Sequence, residues 1–208
     1  AALLTQSLPA GLLSDYLTPS QESQVRNGSQ VLVVEDLEGC PWPRVTIYQK
    51  INASSEEVAA VFFDFEDNKS FIPNVLRSKI SRIISPAEFE VDFSINIPIL
   101  PDEHYPALNT LSHTAPECYG IAWKLLKARQ TKDSVGSFQT EPFEGGALMR
   151  YRNLVTPGSR MAGLLRGIAI RQMQNAAEAI ASRAESLKTS NPDQLERQVQ
   201  DLRAALAE

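Results

Sequence analysis

Residues 47–75 read IYQKINASSEEVAAVFFDFEDNKSFIPNV, and this stretch decides the fold. Its centre, Ser54-Ser55-Glu56-Glu57, is a capping box in which the Ser54 hydroxyl and the Glu57 carboxylate each satisfy an orphan amide of the other. A helix starts there. Val58, Val61, Phe62 and Phe65 follow at i, i+3, i+4 and i+7 and form one apolar stripe. Asp64 to Asn74 then predicts a break and a short second helix stopped by Pro73. Upstream, Arg44 to Ile51 places Val45, Ile47 and Ile51 on one face of a strand. Ser29 to Glu38 carries the β-branched density of another, and Pro41 and Pro43 around Trp42 keep the connection extended.

Downstream, from Val75 to Thr156, the period changes to two and the chain reads as a meander of strands. In Glu88 to Ile97, Phe89, Val91, Phe93, Ile95 and Ile97 alternate with Glu88, Glu90, Asp92, Ser94 and Asn96, so one face is buried and one is wet. Tyr119, Ile121, Trp123 and Leu125 repeat the alternation. Ser134 to Thr140 and Ala147 to Leu154 flank the turn Glu144-Gly145-Gly146 as a hairpin. Leu76 to Ile84 and Tyr105 to His113 complete the set.

After Pro157-Gly158 a long amphipathic helix is predicted from an N-cap at Ser159 to about Lys188. Its buried face holds Met161, Leu164, Leu165, Ile168, Ala169, Gln172, Met173, Ala176 and Ile180, opposite Arg160, Arg166, Arg171 and Glu178. At 1.5 Å per residue it would run about 45 Å, enough to span the whole sheet. Residues 1–28, broken by Pro9, Gly11, Pro19 and Gly28, read as an N-terminal arm. Residues 29–188 read as the domain, and 189–208 as a tail with a last helix striped by Leu195, Val199, Leu202 and Leu206.

An antiparallel sheet with one apolar face needs a cover, and a sheet that curls around one helix encloses space. The segment 47–75, together with Gly136-Ser137-Phe138, Gly145-Gly146-Ala147, Tyr151 and Pro157-Gly158 before the long helix, resembles the START-like, Bet v 1-like (SRPBCC) superfamily of polyketide cyclase and lipid-transport type. The resemblance covers residues 44–188. It implies an α+β helix-grip fold: a curved antiparallel sheet of six to seven strands wrapped around a long C-terminal helix, with two short helices after the first core strand. It also implies an apolar cavity between sheet and helix that takes a lipid, sterol, quinone or polyketide-like molecule.

Parity nominates the cavity wall. Phe89, Val91, Phe93 and Ile95 come from one strand, Ile121 and Trp123 from another. Phe138, Thr140, Met149, Tyr151 and Asn153 come from the last hairpin, and Met161, Leu165, Ala169, Gln172 and Met173 from the helix. Thr140, Tyr151, Asn153 and Gln172 are the polar members. A buried polar group without a partner costs about 1 to 3 kcal/mol, so polar groups converging in an apolar pocket are what orients a guest. An empty apolar cavity of about 300 Å³ would cost on the order of 7 kcal/mol at roughly 24 cal/mol per Å³. A filled or open pocket is therefore expected, with Gly163 and Gly167 softening the covering helix at an entrance.

Composition removes competing functions. The 208 residues carry 43% hydrophobic and 22% charged side chains and a net charge of −5. With no basic run longer than two residues, nucleic acid is not an expected partner. Met161 to Ile170 is too short to span a bilayer and contains Arg166, which excludes an integral membrane segment there and leaves only transient membrane contact open. Cys40 and Cys118 form no metal motif and pair only if the fold brings their Cα atoms within about 7 Å. His104 and His113, nine residues apart on one strand, fall on opposite faces about 30 Å apart and share no metal. By parity His113 faces inward and His104 outward. Glu88, Glu90 and Asp92 read as a solvated face and Asp102-Glu103 as a turn. No cofactor or metal is expected, and hydrolase, zincin and nucleotide-binding motifs are missing.

Two alternatives to a carrier remain. One is an aromatase or cyclase in which Tyr151, His113 and Gln172 handle a folded polyketide. The other is an interaction module whose cavity has collapsed. The chain begins at Ala1, which fits both an exported and a trimmed cytoplasmic product, so the compartment stays open.

Overall fold

A computed structural model describes residues 12–97, 101–115, 117–158 and 160–207. The chain is α+β. Eight strands form one antiparallel sheet: β1 (Val31–Glu35), β2 (Arg44–Ile51), β3 (Val75–Ser85), β4 (Glu88–Ile95), β5 (Glu103–Ala115), β6 (Cys118–Leu125), β7 (Thr131–Phe143) and β8 (Gly146–Pro157). Their order across the sheet is β1-β2-β8-β7-β6-β5-β4-β3. The meander from β3 to β8 thus returns the last strand to the side of β2. The count exceeds the expected six to seven because β1 pairs with β2 from Val31↔Tyr48 to Glu35↔Arg44 and extends the sheet at that edge.

The helices are α1 (Pro19–Arg26), α2 (Ser55–Phe63), α3 (Asn68–Phe71), α4 (Arg166–Ser190) and α5 (Pro192–Leu206). The capping box forms as read: the Ser54 hydroxyl accepts from the Glu57 amide at 3.1 Å, and the Glu57 carboxylate accepts from the Ser54 amide at 2.6 Å. Of the nine residues of α2, seven are buried, because the helix is clamped by the sheet, α4 and α5 together. The hairpin between β7 and β8 turns on Glu144 and Gly145, both at positive φ, the turn geometry that matches strand twist.

The covering helix departs from expectation at its start. Residues Arg160–Leu165 form a 3-10 turn, and α4 begins only at Arg166. The tighter winding shifts the phase of the apolar stripe. Ala162 is buried, whereas Leu164 is 81% exposed and Ile168 is also exposed, correcting their assignment to the buried face. The expected Ser159 cap and the Met161 side chain lie outside the described residues.

The two segments read as an arm and a tail helix both act as covers. Part of the N-terminal arm, a 3-10 turn at Leu13–Tyr16 followed by α1, lies on the outer face of the sheet. There Leu13, Val25, Val31, Tyr48 and Leu148 make a second small core. At the other end of the chain α5 packs Leu195, Val199 and Leu202 into the main core. Asn191 caps it, with Pro192 in its first turn.

Candidate functional site

The sheet grips two things side by side. One half of its inner face is filled by α2. The other half, towards the far ends of the same strands, faces a cavity of about 210 Å³ roofed by the first half of α4. Phe62, near the end of α2, stands between them. It stacks on Phe138 at 4.5 Å and meets Trp123 and Tyr151 edge-on at 6.0 and 6.4 Å. Phe138 belongs to the packed side; Trp123 and Tyr151, 5.4 Å apart, belong to the cavity wall.

This division sorts the residues nominated by alternation. Phe93 and Ile95 of β4, Trp123 of β6, Tyr151 and Asn153 of β8, and Ala169, Gln172 and Met173 of α4 line the cavity. Phe89, Val91, Ile121, Phe138 and Met149 do not; they are buried in the main core. Thr140 is also away from the cavity, its hydroxyl donating to the Ser55 carbonyl at 2.8 Å. Leu165 is half-buried and off the wall. Alternation reports which side of a strand faces inward. It carries no information on how far along the strand the filler helix reaches.

Several wall residues were missed. Tyr105, Ala107 and Asn109 of β5 line the cavity, and their inward parity was visible beside Leu111. Trp42, in the loop before β2, closes one side and donates its indole N–H to the Ala162 carbonyl at 2.6 Å, pinning the 3-10 turn that leads into α4. A tryptophan between two prolines was the available signal.

The described side chains of the wall are uncharged. Burial pushes the Tyr151 hydroxyl up to about 12, opposed by a hydrogen bond from Asn153. Tyr105 is raised as well, by burial first and then by Tyr151 and Glu103. Both phenols therefore stay protonated at neutral pH and act as donors or acceptors, not as charges. Asn153 Oδ1, Asn68 Oδ1 and Gln172 Nε2 are buried and have no hydrogen-bond partner.

His113 keeps the inward parity expected of it, on the side of Glu56 of α2, but it is exposed and not part of the cavity wall. It lies at the end of β5, beyond the core, with its ring stacked on Tyr119 at 4.7 Å. Tyr151, His113 and Gln172 are accordingly not brought together. His104 is exposed as expected. Glu103 is no turn residue: it opens β5, is only 1% exposed, and accepts hydrogen bonds from the Arg129 and Gln130 amides and the Thr131 hydroxyl. Cys40 and Cys118 are free thiols. Among the described residues no helix is long and apolar enough to cross a membrane.

No protein-family model and no curated protein sequence matches the chain. Solved structures do. A STAR-related lipid transfer protein fragment from Xanthomonas axonopodis superposes with a TM-score of 0.66 at 16% identity, covering 74% of this chain and 93% of that one. Human STARD10 gives 0.59 at 15% identity, with 91% and 87% covered. The Zhui aromatase/cyclase from Streptomyces sp. R1128 gives 0.59 at 12% identity, with 71% and 96% covered. At these identities the likeness is one of fold, and the chain has the START-like, Bet v 1-like helix-grip fold.

Proposed function

We propose that the protein binds a hydrophobic small molecule in the cavity between the sheet and α4. The observation that carries this reading is the cavity itself: about 210 Å³ walled mainly by aromatic and aliphatic side chains between the sheet and α4. Held empty, that volume would cost roughly 5 kcal/mol at about 24 cal/mol per Å³, a large share of a typical domain's stability. A collapsed interaction module would have no reason to keep it. Structural neighbours named for lipid transfer and for aromatase/cyclase activity support the reading.

A carrier is favoured over a cyclase because the wall offers neutral phenols and amides and no group that titrates near neutrality, with His113 remote from it. The wall residues proposed to contact the guest are Phe93, Ile95, Trp123, Tyr151, Asn153, Ala169, Gln172 and Met173. The test is extraction of the purified protein with organic solvent followed by mass spectrometry, together with titration of an environment-sensitive apolar dye. A co-purifying apolar compound, or saturable dye binding lost on replacing Ala169 by Trp, is expected. No extractable compound together with no saturable binding would overturn the reading.

A further inference from the structure

Among the described residues, the wall of the cavity carries no Asp, Glu, Lys, Arg or His, although 22% of the chain is charged. Its polar side chains are amides, hydroxyls and phenols: Asn109, Ser134, Tyr105, Tyr151, Asn153 and Gln172 among them. Several are incompletely satisfied. Gln172 Nε2 is a donor without an acceptor, and Asn153 Oδ1 and Asn68 Oδ1 are acceptors without a donor. The one buried carboxylate at this end of the sheet, Glu103, has both oxygens engaged by the backbone after β6 and sits near enough to Tyr105 to disfavour its ionisation. A buried charge needs a partner, and one brought in by a guest would find none here. A carboxylate would also meet the field of Glu103. The volume is below the roughly 300 Å³ at the low end of ligand pockets and equals about seven waters at ~30 Å³ each. That excludes a large two-chain molecule unless α4 moves away.

From this we infer that the ligand is a small, neutral, oxygen-bearing ring compound, a phenol or cyclic ketone in chemical class, and not a fatty-acid anion, a charged-headgroup lipid or an amine. The inference rests on the cavity being the binding site and goes further by naming the guest's charge and polarity. Its apolar body lies among Phe62, Trp123 and Met173, and its oxygen accepts the hydrogen bond that Gln172 Nε2 leaves unmade.

Four probes of one ring skeleton test it by isothermal titration calorimetry at pH 7.5: 2-naphthol, naphthalene, 2-naphthoate and 2-naphthylmethylammonium. The expected order has 2-naphthol tightest, with both ions at least tenfold weaker. Naphthalene should be weaker than 2-naphthol despite its greater hydrophobicity. Equal or tighter binding of either ion overturns the neutral-ligand inference while leaving the hydrophobic-ligand reading intact. Equal binding of naphthalene overturns the oxygen requirement. If none of the four binds, the ring-compound inference falls, while the hydrophobic-ligand reading stands or falls by the extraction and the dye titration. A second variant locates the site: Gln172→Lys puts a cation on the roof, and in a folded protein it should raise the affinity for 2-naphthoate relative to 2-naphthol at least tenfold. An unchanged ratio would place the probe elsewhere and overturn the assignment.

Discussion

Gly136 shows how a single missing side chain shapes the cavity. It pairs with Trp123 on β6 and with Asn153 on β8, and a Cβ placed on it would lie 2.1 Å from Trp123 Cζ2 and 2.7 Å from the Arg152 carbonyl oxygen. The indole therefore lies flat across the glycine, which is what lets it form wall without filling the space beneath α4. Gly136→Ala should displace the indole into the cavity and strain β8, costing about 1 to 3 kcal/mol as overpacking. Urea denaturation followed by fluorescence checks both parts, since Trp123 and Trp42 are the two tryptophans of the chain. An unchanged midpoint and an unshifted emission maximum would show that the indole has no need of the glycine. Residue-scale facts of this kind were hard to read in advance. The parity of Tyr151, Asn153 and Gln172 was visible in the alternation and the helical stripe. The separation of Trp123 from Ile121, two residues apart on one strand face, was not, because it depends on where Phe62 arrives from another element.

At the scale of elements, α2 is the filler of the grip, and its N-terminus is tied to both C-terminal helices. Arg203 of α5 donates two hydrogen bonds to Glu56 at 2.6 Å each, and Lys188 of α4 reaches Glu57 at 2.8 Å. The Glu56 carboxyl is held below its ordinary 4.5 by the Arg203 hydrogen bond first, against burial, with Tyr119 and His113 helping. For Glu57, burial pushes up most strongly, but the bonds from Lys188 and Ser54 together outweigh it and the net shift is downward. Carboxyls with lowered folded-state values contribute stability that is complete above about 4.5 and is lost as pH falls through the lowered values. The melting temperature should therefore drop as the pH falls below about 4.5, and Glu56→Gln should flatten that drop while lowering stability at pH 7. A Glu56→Gln protein with the acid limb of the native chain would remove α5 docking from the explanation. Elements were the most legible level. β2 runs over the bounds read from its alternation, and the capping box marked the start of α2 to the residue. The exception is the entry to α4, where Gly163 and Gly167 permit a 3-10 turn that contacts remote in sequence hold, Trp42 to Ala162 across 120 positions and Arg166 to Asp36.

The whole molecule separates its two faces. The concave face of the sheet holds α2, the cavity and α4, while the convex face of β2, β7 and β8 is covered by the N-terminal arm. That arm is fastened chemically as well as by its apolar side chains. Glu141 on β7 accepts from the Leu13 amide at 2.7 Å and the Ser14 amide at 3.3 Å, and the buried Arg150 guanidinium lies 5.5 Å from the Tyr16 ring centre. The small core there belongs to no part of the cavity wall, so stability and binding can be separated by mutation. Leu13 is 3% exposed, and Leu13→Ala should cost about 2 to 3 kcal/mol as a large-to-small core change. That corresponds to roughly 4 to 12 °C in melting temperature for a chain of this size. The dissociation constant for 2-naphthol, measured well below that temperature, should stay within about twofold of the native value, because the strands stand between the arm and the cavity. A loss of affinity in step with the loss of stability would mean that the arm sets the curvature of the sheet, and with it the shape of the cavity on the opposite side.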